Sequence, residues 1–240
     1  MLYTDEGFVL RVRDILNEDK VINLLLKDTG LVSSIAKGAK KITSRKTGKL
    51  EMLSLSKFSL AKGKSLDILL EIKTLKSYPS AREKFLYPFF LLSELVENFA
   101  VGFTSADELF QLLSDVLDWL DTDDCQTAIP VLIYFCTRFF LIEGILPDMY
   151  VCSICGIRFV ADEEKVWYGG SFLHRRCSRG DKVQDTELKL LRYFALQAST
   201  DKAMQITAPR EVWQQVFSLT MNMVVYTIGK PLHAQQYVKC

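Results

Sequence analysis

The stretch Glu6-Gly7-Phe8-Val9-Leu10-Arg11-Val12-Arg13-Asp14 (EGFVLRVRD, residues 6–14) decides how the first third of the chain is read. Apolar and polar residues alternate along it at period two, the pattern of a strand that turns one face to a core. Four further strand candidates follow: KVINLLLK (20–27), LVSSIAKG (31–38), LSLSKFSLAKG (53–63) and LDILLEIKTLK (66–76). Turn chemistry separates them at Asn17-Glu18-Asp19, Asp28-Thr29-Gly30 and Gly63-Lys64-Ser65. Five short strands with one long polar excursion between the third and the fourth predict a small closed barrel. An OB-like barrel fits first and an SH3-like one second.

From Ser80 the apolar period becomes helical. SAREKFLYPFFLLSELVENFA (80–100) opens with Ser80 and Glu83 spaced as a capping box, and Pro88 should kink or divide the helix. Ser105 and Glu108 form a second such box before LFQLLSDVLDWL (109–120). TAIPVLIYFCTRFFLIEGIL (127–146), DTELKLLRYFALQ (185–197) and PREVWQQVFSLTMNMVVYTIG (209–229) supply three more helices, the last stopped by Gly229 and Pro231. The expected fold class is α+β and multidomain, an N-terminal OB-fold β-barrel followed by an α-helical domain. The barrel takes residues 1–79, and the helical domain runs from 80 to 149 and again from 181 to 240. A small metal-binding element, 150–180, is set between its two parts.

The 240 residues are 49% hydrophobic and 25% charged, ordinary for a soluble globular protein. The net charge of +1 conceals a partition. Residues 1–80 hold 15 Lys and Arg against 9 Asp and Glu, residues 81–150 hold 3 against 12, and residues 151–240 hold 12 against 8. The basic segments are the ones suited to a polyanion. The start of the chain lacks the cationic, apolar layout of a signal peptide, and the most apolar stretch, 128–146, is interrupted by Pro130, Arg138 and Glu143. Six cysteines without a secretory signal point to a reducing cytoplasm, where cysteine pairs bind metal more often than they form disulfides.

CSICG (152–156) and HRRC (174–177) supply such pairs, as Cys152-x2-Cys155-x18-His174-x2-Cys177. A tight turn at x2 spacing brings two ligands to bite distance for one tetrahedral ion, and Gly156 can take the positive φ that turns backbone N–H groups toward sulfur. The expected cofactor is one structural Zn2+ per chain held by Cys152, Cys155, His174 and Cys177. Four protein ligands leave no position for a catalytic water. The competing readings are incidental cysteine pairs, or a three-cysteine site with His174 as a surface residue. Cys136 reads as a core residue, and Cys125 and Cys240 as loop and tail.

The second constellation is KGAKKITSRKTGK (37–49), which places Lys37, Lys40, Lys41, Arg45, Lys46 and Lys49 in thirteen residues with no acid. A loop at a barrel mouth is a natural place for phosphate contacts, and Arg11, Arg13, Lys57, Lys62 and Lys64 can extend the patch. The plainer alternative is a solvated loop. Aromatic side chains are few in this half, so backbone electrostatics should outweigh base stacking.

Enzymatic readings fail on their motifs. Gly63-Lys64-Ser65 and Gly48-Lys49 lack the earlier glycine of a P-loop, for Phe58 and Thr43 stand there. No HxE element precedes the CxxC as a zinc deaminase requires. His233 has no nucleophile motif beside it, and Asp121, Asp123 and Asp124 read as a solvated loop. The chain does not read as an enzyme.

EGFVLRVRD, LVSSIAKGAKK with the downstream Gly48 and Leu50-Glu51, FSLAKGKSLDIL, LKSYPSAREK and GILPDMYVCSICG occur in an order that resembles the bacterial RecO family of recombination mediators over essentially the full length. The resemblance implies an OB-fold, a helical domain and an inserted zinc element. It also implies binding of single- and double-stranded DNA, annealing of complementary strands without ATP, and RecA loading on DNA coated with single-strand DNA-binding protein. The partners implied are RecR and the C-terminal tail of that single-strand binding protein, which docks on the helical domain. No pocket for the tail is matched residue by residue, and Arg138 and Arg192 are only candidates for it. The implied location is the bacterial cytoplasm, at the nucleoid. The basic loop at 37–49 matches the family's DNA-binding region in place and character. Where relatives carry two CxxC pairs, this chain has His174 at the third ligand position. A protein-interaction scaffold and an RNA-binding OB protein are the alternative functions.

Overall fold

The computed structural model describes all residues except 16, 42–45, 102–105, 123, 124, 239 and 240, and leaves out the side chain of residue 47. Arg45, the Ser105 cap, Asp123, Asp124 and Cys240 lie outside the described residues. The chain forms two compact units, Met1–Asp123 and Asp124–Cys240.

The first unit begins with β1 (Leu2–Asp14), β2 (Lys20–Leu26), β3 (Gly30–Ala36), β4 (Leu55–Ala61) and β5 (Asp67–Lys76). They close into a barrel in the order β1-β2-β3-β5-β4, the expected OB arrangement rather than the SH3-like one. Every neighbouring pair is antiparallel except β3 and β5, which run parallel over only two residue pairs, Ser34 with Asp67 and Ile35 with Ile68. That short seam is the weakest part of the closure.

Strand β1 is long enough to serve two partners. Residues Leu2 to Phe8 pair with β4, and Gly7 to Asp14 pair with β2. Gly7 sits where the strand passes from one partner to the other, and a Cβ there would overlap the Leu25 carbonyl and Leu26. Two residues on, the register shifts between Val9 and Arg11, a β-bulge that makes Leu10 the extra residue.

The bulge changes the simple alternation read from sequence. Phe8, Val9 and Leu10 are all buried. Val9 joins the barrel interior with Ile22, Leu24, Phe58, Leu60 and Ile72, and Val12 packs against the same cluster after the bulge. Phe8 instead meets Phe110, ring centroids 5.0 Å apart. The Leu10 carbonyl accepts a buried hydrogen bond from Ser93 Oγ at 2.5 Å.

Those partners belong to α2 (Leu86–Phe99) and α3 (Ala106–Leu120), which lie on the barrel's outer face, with the short α1 (Pro79–Lys84) packed against both helices. The helices from 79 to 120 thus share a compact unit with the barrel, while the sequence placed them in a separate helical domain beginning at 80. An alternating strand with apolar residues on both faces requires this second cover. Pro79 occupies the first turn of α1 with Tyr78 before it, so Ser80 lies inside the helix and caps nothing. The division expected of Pro88 falls at Phe85, three residues earlier. A proline ring clashes with the carbonyl four residues back, so the break precedes it and Pro88 sits in the first turn of α2.

The second unit packs α4 (Ile129–Ile142), α5 (Asp185–Leu196), α6 (Thr200–Ala203) and α7 (Arg210–Ile228) together. Phe194 is central, edge-on to Tyr134 at 5.9 Å and stacked on Trp213 at 6.1 Å. Pro130 opens α4 at its first turn and does not interrupt it. A three-stranded sheet ordered β7-β6-β8 stands between α4 and α5 in the chain: β6 (Lys165–Tyr168), β7 (Ser171–His174) and β8 (Asp181–Val183). Among the described residues no helix is long and apolar enough to cross a membrane.

Candidate metal centre and basic surface

The CxxC turn is built by local backbone bonds. Gly156, at φ +70°, donates its N–H to the Cys152 carbonyl at 2.9 Å, and the Cys152 N–H returns to the Ile157 carbonyl at 3.0 Å. The HxxC turn closes in the same way, with the Cys177 N–H on the His174 carbonyl at 2.9 Å. Because His174 ends β7 and the His174 N–H points at Cys152 Sγ (3.4 Å), the hairpin lays one pair against the other. Val166, Leu173 and Phe159 pack around the sulfurs as a small apolar cluster.

The ligand atoms of Cys152, Cys155, His174 and Cys177 lie within 4.8 Å of one another, and His174 Nδ1 is 3.2 Å from Cys155 Sγ. Tetrahedral zinc, with Zn–S bonds of about 2.3 Å and Zn–N of about 2.0–2.1 Å, needs donor separations of roughly 3.5–3.8 Å. The four donors fit such an ion after small adjustments, and the cluster can hold a metal. His174 is fully buried, which removes the reading of a surface imidazole. Burial pushes the Cys152 thiol up, but the N–H groups of Cys155, His174 and Ile154 and the Cys155 side chain outweigh it. Together they bring Cys152 down to about 6, toward the thiolate a metal requires. Burial and the two neighbouring sulfurs raise Cys177.

Two features of this region had no signal in the ligand spacing. Glu163 Oε2 stands 3.0 Å from His174 Nε2, on the side of the ring away from the sulfurs. Lys165, 2% exposed, is held by the Val160 and Glu163 carbonyls and by Asp185.

The cations named from sequence divide into three groups. Arg11 faces α2, where it pairs with Glu97 at 3.5 Å, and Glu97 also accepts from the Asn23 amide. Arg13, Lys37, Lys40 and Lys41 gather where the β1–β2 turn meets the start of the 37–49 excursion. Lys40 reaches the Ile15 carbonyl at 2.6 Å and Asp14 at 3.8 Å, while Lys41 reaches Glu18 at 3.6 Å. Arg13 and Lys37 are exposed and make no ion pair among the described residues. Lys46 and Lys49 turn inward to β5, donating to the Leu69 carbonyl at 2.8 Å and the Ile72 carbonyl at 3.2 Å. These carbonyls lie beyond the two-residue seam with β3, so the lysines satisfy an otherwise open edge. Of the further cations, Lys62 is tied to Asp67 at 3.3 Å and lies 5.2 Å from the Tyr3 ring. In the second unit Arg138 donates to the Ala195 carbonyl at 3.0 Å, and Arg192 donates to Met149 while resting on the Tyr150 ring at 4.4 Å.

An OB barrel in one unit and a three-cysteine, one-histidine cluster on a small sheet among helices in the other define the class, a barrel protein with a cluster that could hold a metal ion. The family model "Recombination protein O N terminal" matches residues 1–78, and "Recombination protein O C terminal" matches residues 86–236. The chain belongs to the RecO family. It is 31% identical to the DNA repair protein RecO of Thermobifida fusca over 173 residues, 70% of this chain and 71% of that one. It is 29% identical to the protein of the same name from Gloeothece citriformis over 155 residues, and 32% identical to that of Dehalococcoides mccartyi over 139. These last matches span 55% and 54% of the relatives' own lengths.

Proposed function

We propose that this chain is a non-enzymatic DNA-binding protein of recombinational repair, which brings complementary strands together without ATP. The observation that carries the reading is the family match across both units, joined to a barrel whose β1–β2 end presents Arg13, Lys37, Lys40 and Lys41. Duplex formation brings two phosphate backbones together, and exposed cations lower that repulsion without reading sequence. Arg13 and Lys37 supply uncommitted charge. Lys40 and Lys41 must exchange Asp14 and Glu18 for phosphate, which limits their net gain. Lys46 and Lys49, bonded to β5 carbonyls, and Arg11, paired with Glu97, must give up those partners to reach phosphate. Arg45, outside the described residues, belongs to the proposed DNA-binding set from its place in the sequence alone.

The second unit carries the metal site, which we assign to one structural zinc per chain. Zinc bound there would cross-link the CxxC turn to the β6–β7 hairpin, and Cys152, Cys155, His174 and Cys177 would hold it. RecR, the tail of single-strand DNA-binding protein and, through them, RecA are the proposed partners. The protein would act in the bacterial cytoplasm.

Filter binding with single-stranded DNA, duplex DNA and RNA at two salt concentrations tests the reading. Tight DNA binding that weakens steeply with salt, and weakens further on neutralising Lys37, Lys40 and Lys41 together, is expected. Preference for RNA would return the RNA-binding alternative. Absence of salt-dependent binding to either would leave the scaffold.

A further inference from the structure

We propose that Glu163 is a positioning residue for the metal site, accepting the Nε2–H of His174 so that Nδ1 is the nitrogen turned to the three sulfurs. The inference rests on the reading of the cluster as a metal centre. A neutral imidazole has one N–H and one lone pair, and only the nitrogen without hydrogen can bind a metal. A thiolate has no such choice. A site that uses histidine in place of a fourth cysteine therefore needs something to fix the tautomer and the ring angle. A carboxylate on the far nitrogen is the usual device.

The geometry supplies that device. His174 is fully buried, its Nδ1 is 3.2 Å from Cys155 Sγ, and its Nε2 is 3.0 Å from Glu163 Oε2. The Nε2 atom is buried without an aligned hydrogen bond, so a small turn of the ring toward the metal position has an acceptor waiting on the other side. Phe159 lies edge-on to the imidazole at 4.9 Å and limits its tilt.

Glu163 is itself fixed. Its carbonyl accepts from the buried Lys165 ammonium at 2.8 Å, and Arg176 Nη2 lies 3.8 Å from its second carboxylate oxygen. Three thiolates and Zn2+ leave the site at −1, and Arg176 offsets the charge that Glu163 adds beside it. The Glu163 side chain serves His174, the nearby Arg176 and the Val160 N–H at 3.5 Å, and only the Glu163 main chain serves Lys165. Substituting the side chain leaves the Lys165 hydrogen bond in place.

The test is a double-substitution cycle on the full-length protein, read as zinc affinity in competition with a chromogenic chelator. Glu163→Ala should weaken zinc binding about 10–100-fold, the range for loss of such an outer partner. Glu163→Gln, which keeps an acceptor oxygen, should fall between. In His174→Cys, where no imidazole remains, Glu163→Ala should change affinity less than threefold. With only two histidines, 15N NMR of the zinc-loaded protein reads the tautomer directly, and Nδ1 coordination with Nε2–H is expected. Equal losses in the parent and in the His174→Cys background, or coordination through Nε2, would overturn the proposal. A parent protein that binds no zinc would instead sink the metal-site reading beneath it.

Discussion

Lys165 Nζ and Asp185 Oδ1 lie 2.6 Å apart, joining the first residue of β6 to the first residue of α5. The Lys165 side chain is 2% exposed, and its remaining hydrogens go to the Val160 and Glu163 carbonyls at 2.9 and 2.8 Å. Asp162 adds a fourth link, its N–H on Asp185 Oδ2 at 3.1 Å. The small sheet is thereby tied to the helices by one buried ammonium. Lys165→Met keeps most of the volume but strands three acceptors, and the expected loss is about 3 kcal/mol. A drop in urea midpoint at constant slope would show it, and an unchanged midpoint would rule out the tie.

Acid should undo the same link through Asp185. The Lys165 hydrogen bond and the Asp162 N–H, with burial opposing them, hold the Asp185 carboxyl below its ordinary value of 3.8. A carboxyl depressed by folding stabilises fully above its unfolded value and loses that contribution as pH falls through the folded one. The stability difference between the parent and Asp185→Asn should be widest near neutrality and shrink as pH drops below 3.8. Paired denaturation curves across that range decide it. A difference that does not vary with pH would mean that the carboxylate's charge plays no part.

At Gly7 the constraint is steric. Here β1 pairs with Ser56 of β4 on one side and Leu26 of β2 on the other, and a Cβ would run into the Leu25 main chain, which cannot turn aside. Gly7→Ala should destabilise the first unit by about 1–3 kcal/mol, the range of core overpacking. Thermal unfolding of the variant beside an alanine substitution at exposed Lys57 gives the comparison.

What the sequence conveyed and withheld follows from the range of each interaction. Strand alternation and turn residues are local signals, so all five barrel strands were legible, as was the CxxC and HxxC pairing. The bulge at Leu10 was not, because EGFVLRVRD looks alternating whichever face each residue takes. Only its partners, Phe110 and Ser93, decide that Phe8 and Leu10 turn outward. The Ser80–Glu83 spacing forms no cap because Pro79 starts the helix, while the box at Gln184 and Glu187 has no plain sequence signature because glutamine is an unusual cap. The roles of Glu163 and Lys165 carry no sequence signal, since nothing in linear spacing says which acid will meet which base.

The lysines of the basic excursion should separate by role. Lys46 and Lys49 are bonded to β5 carbonyls, so replacing either with methionine should lower barrel stability by about 1 kcal/mol in addition to any effect on DNA. Arg13 and Lys37 carry no such structural bonds among the described residues. Alanine there should leave the melting curve unchanged and reduce the salt slope of DNA binding by about one unit for each phosphate no longer neutralised. Stability and salt-slope measurements on the four single variants would expose the assignment as wrong if the two pairs behaved alike.

The barrel should also depend on α3. Phe110 is 7% exposed, and its ring meets that of Phe8, a residue the barrel interior does not receive. If the barrel were self-sufficient, truncating Phe110 would loosen α3 alone and leave the strands protected. The bulge argues otherwise, because Phe8 and Leu10 turn away from the interior and would be exposed to water without α2 and α3. Phe110→Ala is therefore expected to cost about 3–5 kcal/mol and to be felt by the whole first unit in one transition. Hydrogen exchange provides the measurement. Amides of β1 and β2 should lose protection together with those of α3, whereas exchange confined to the helix would mean that the barrel and its covering helices unfold separately.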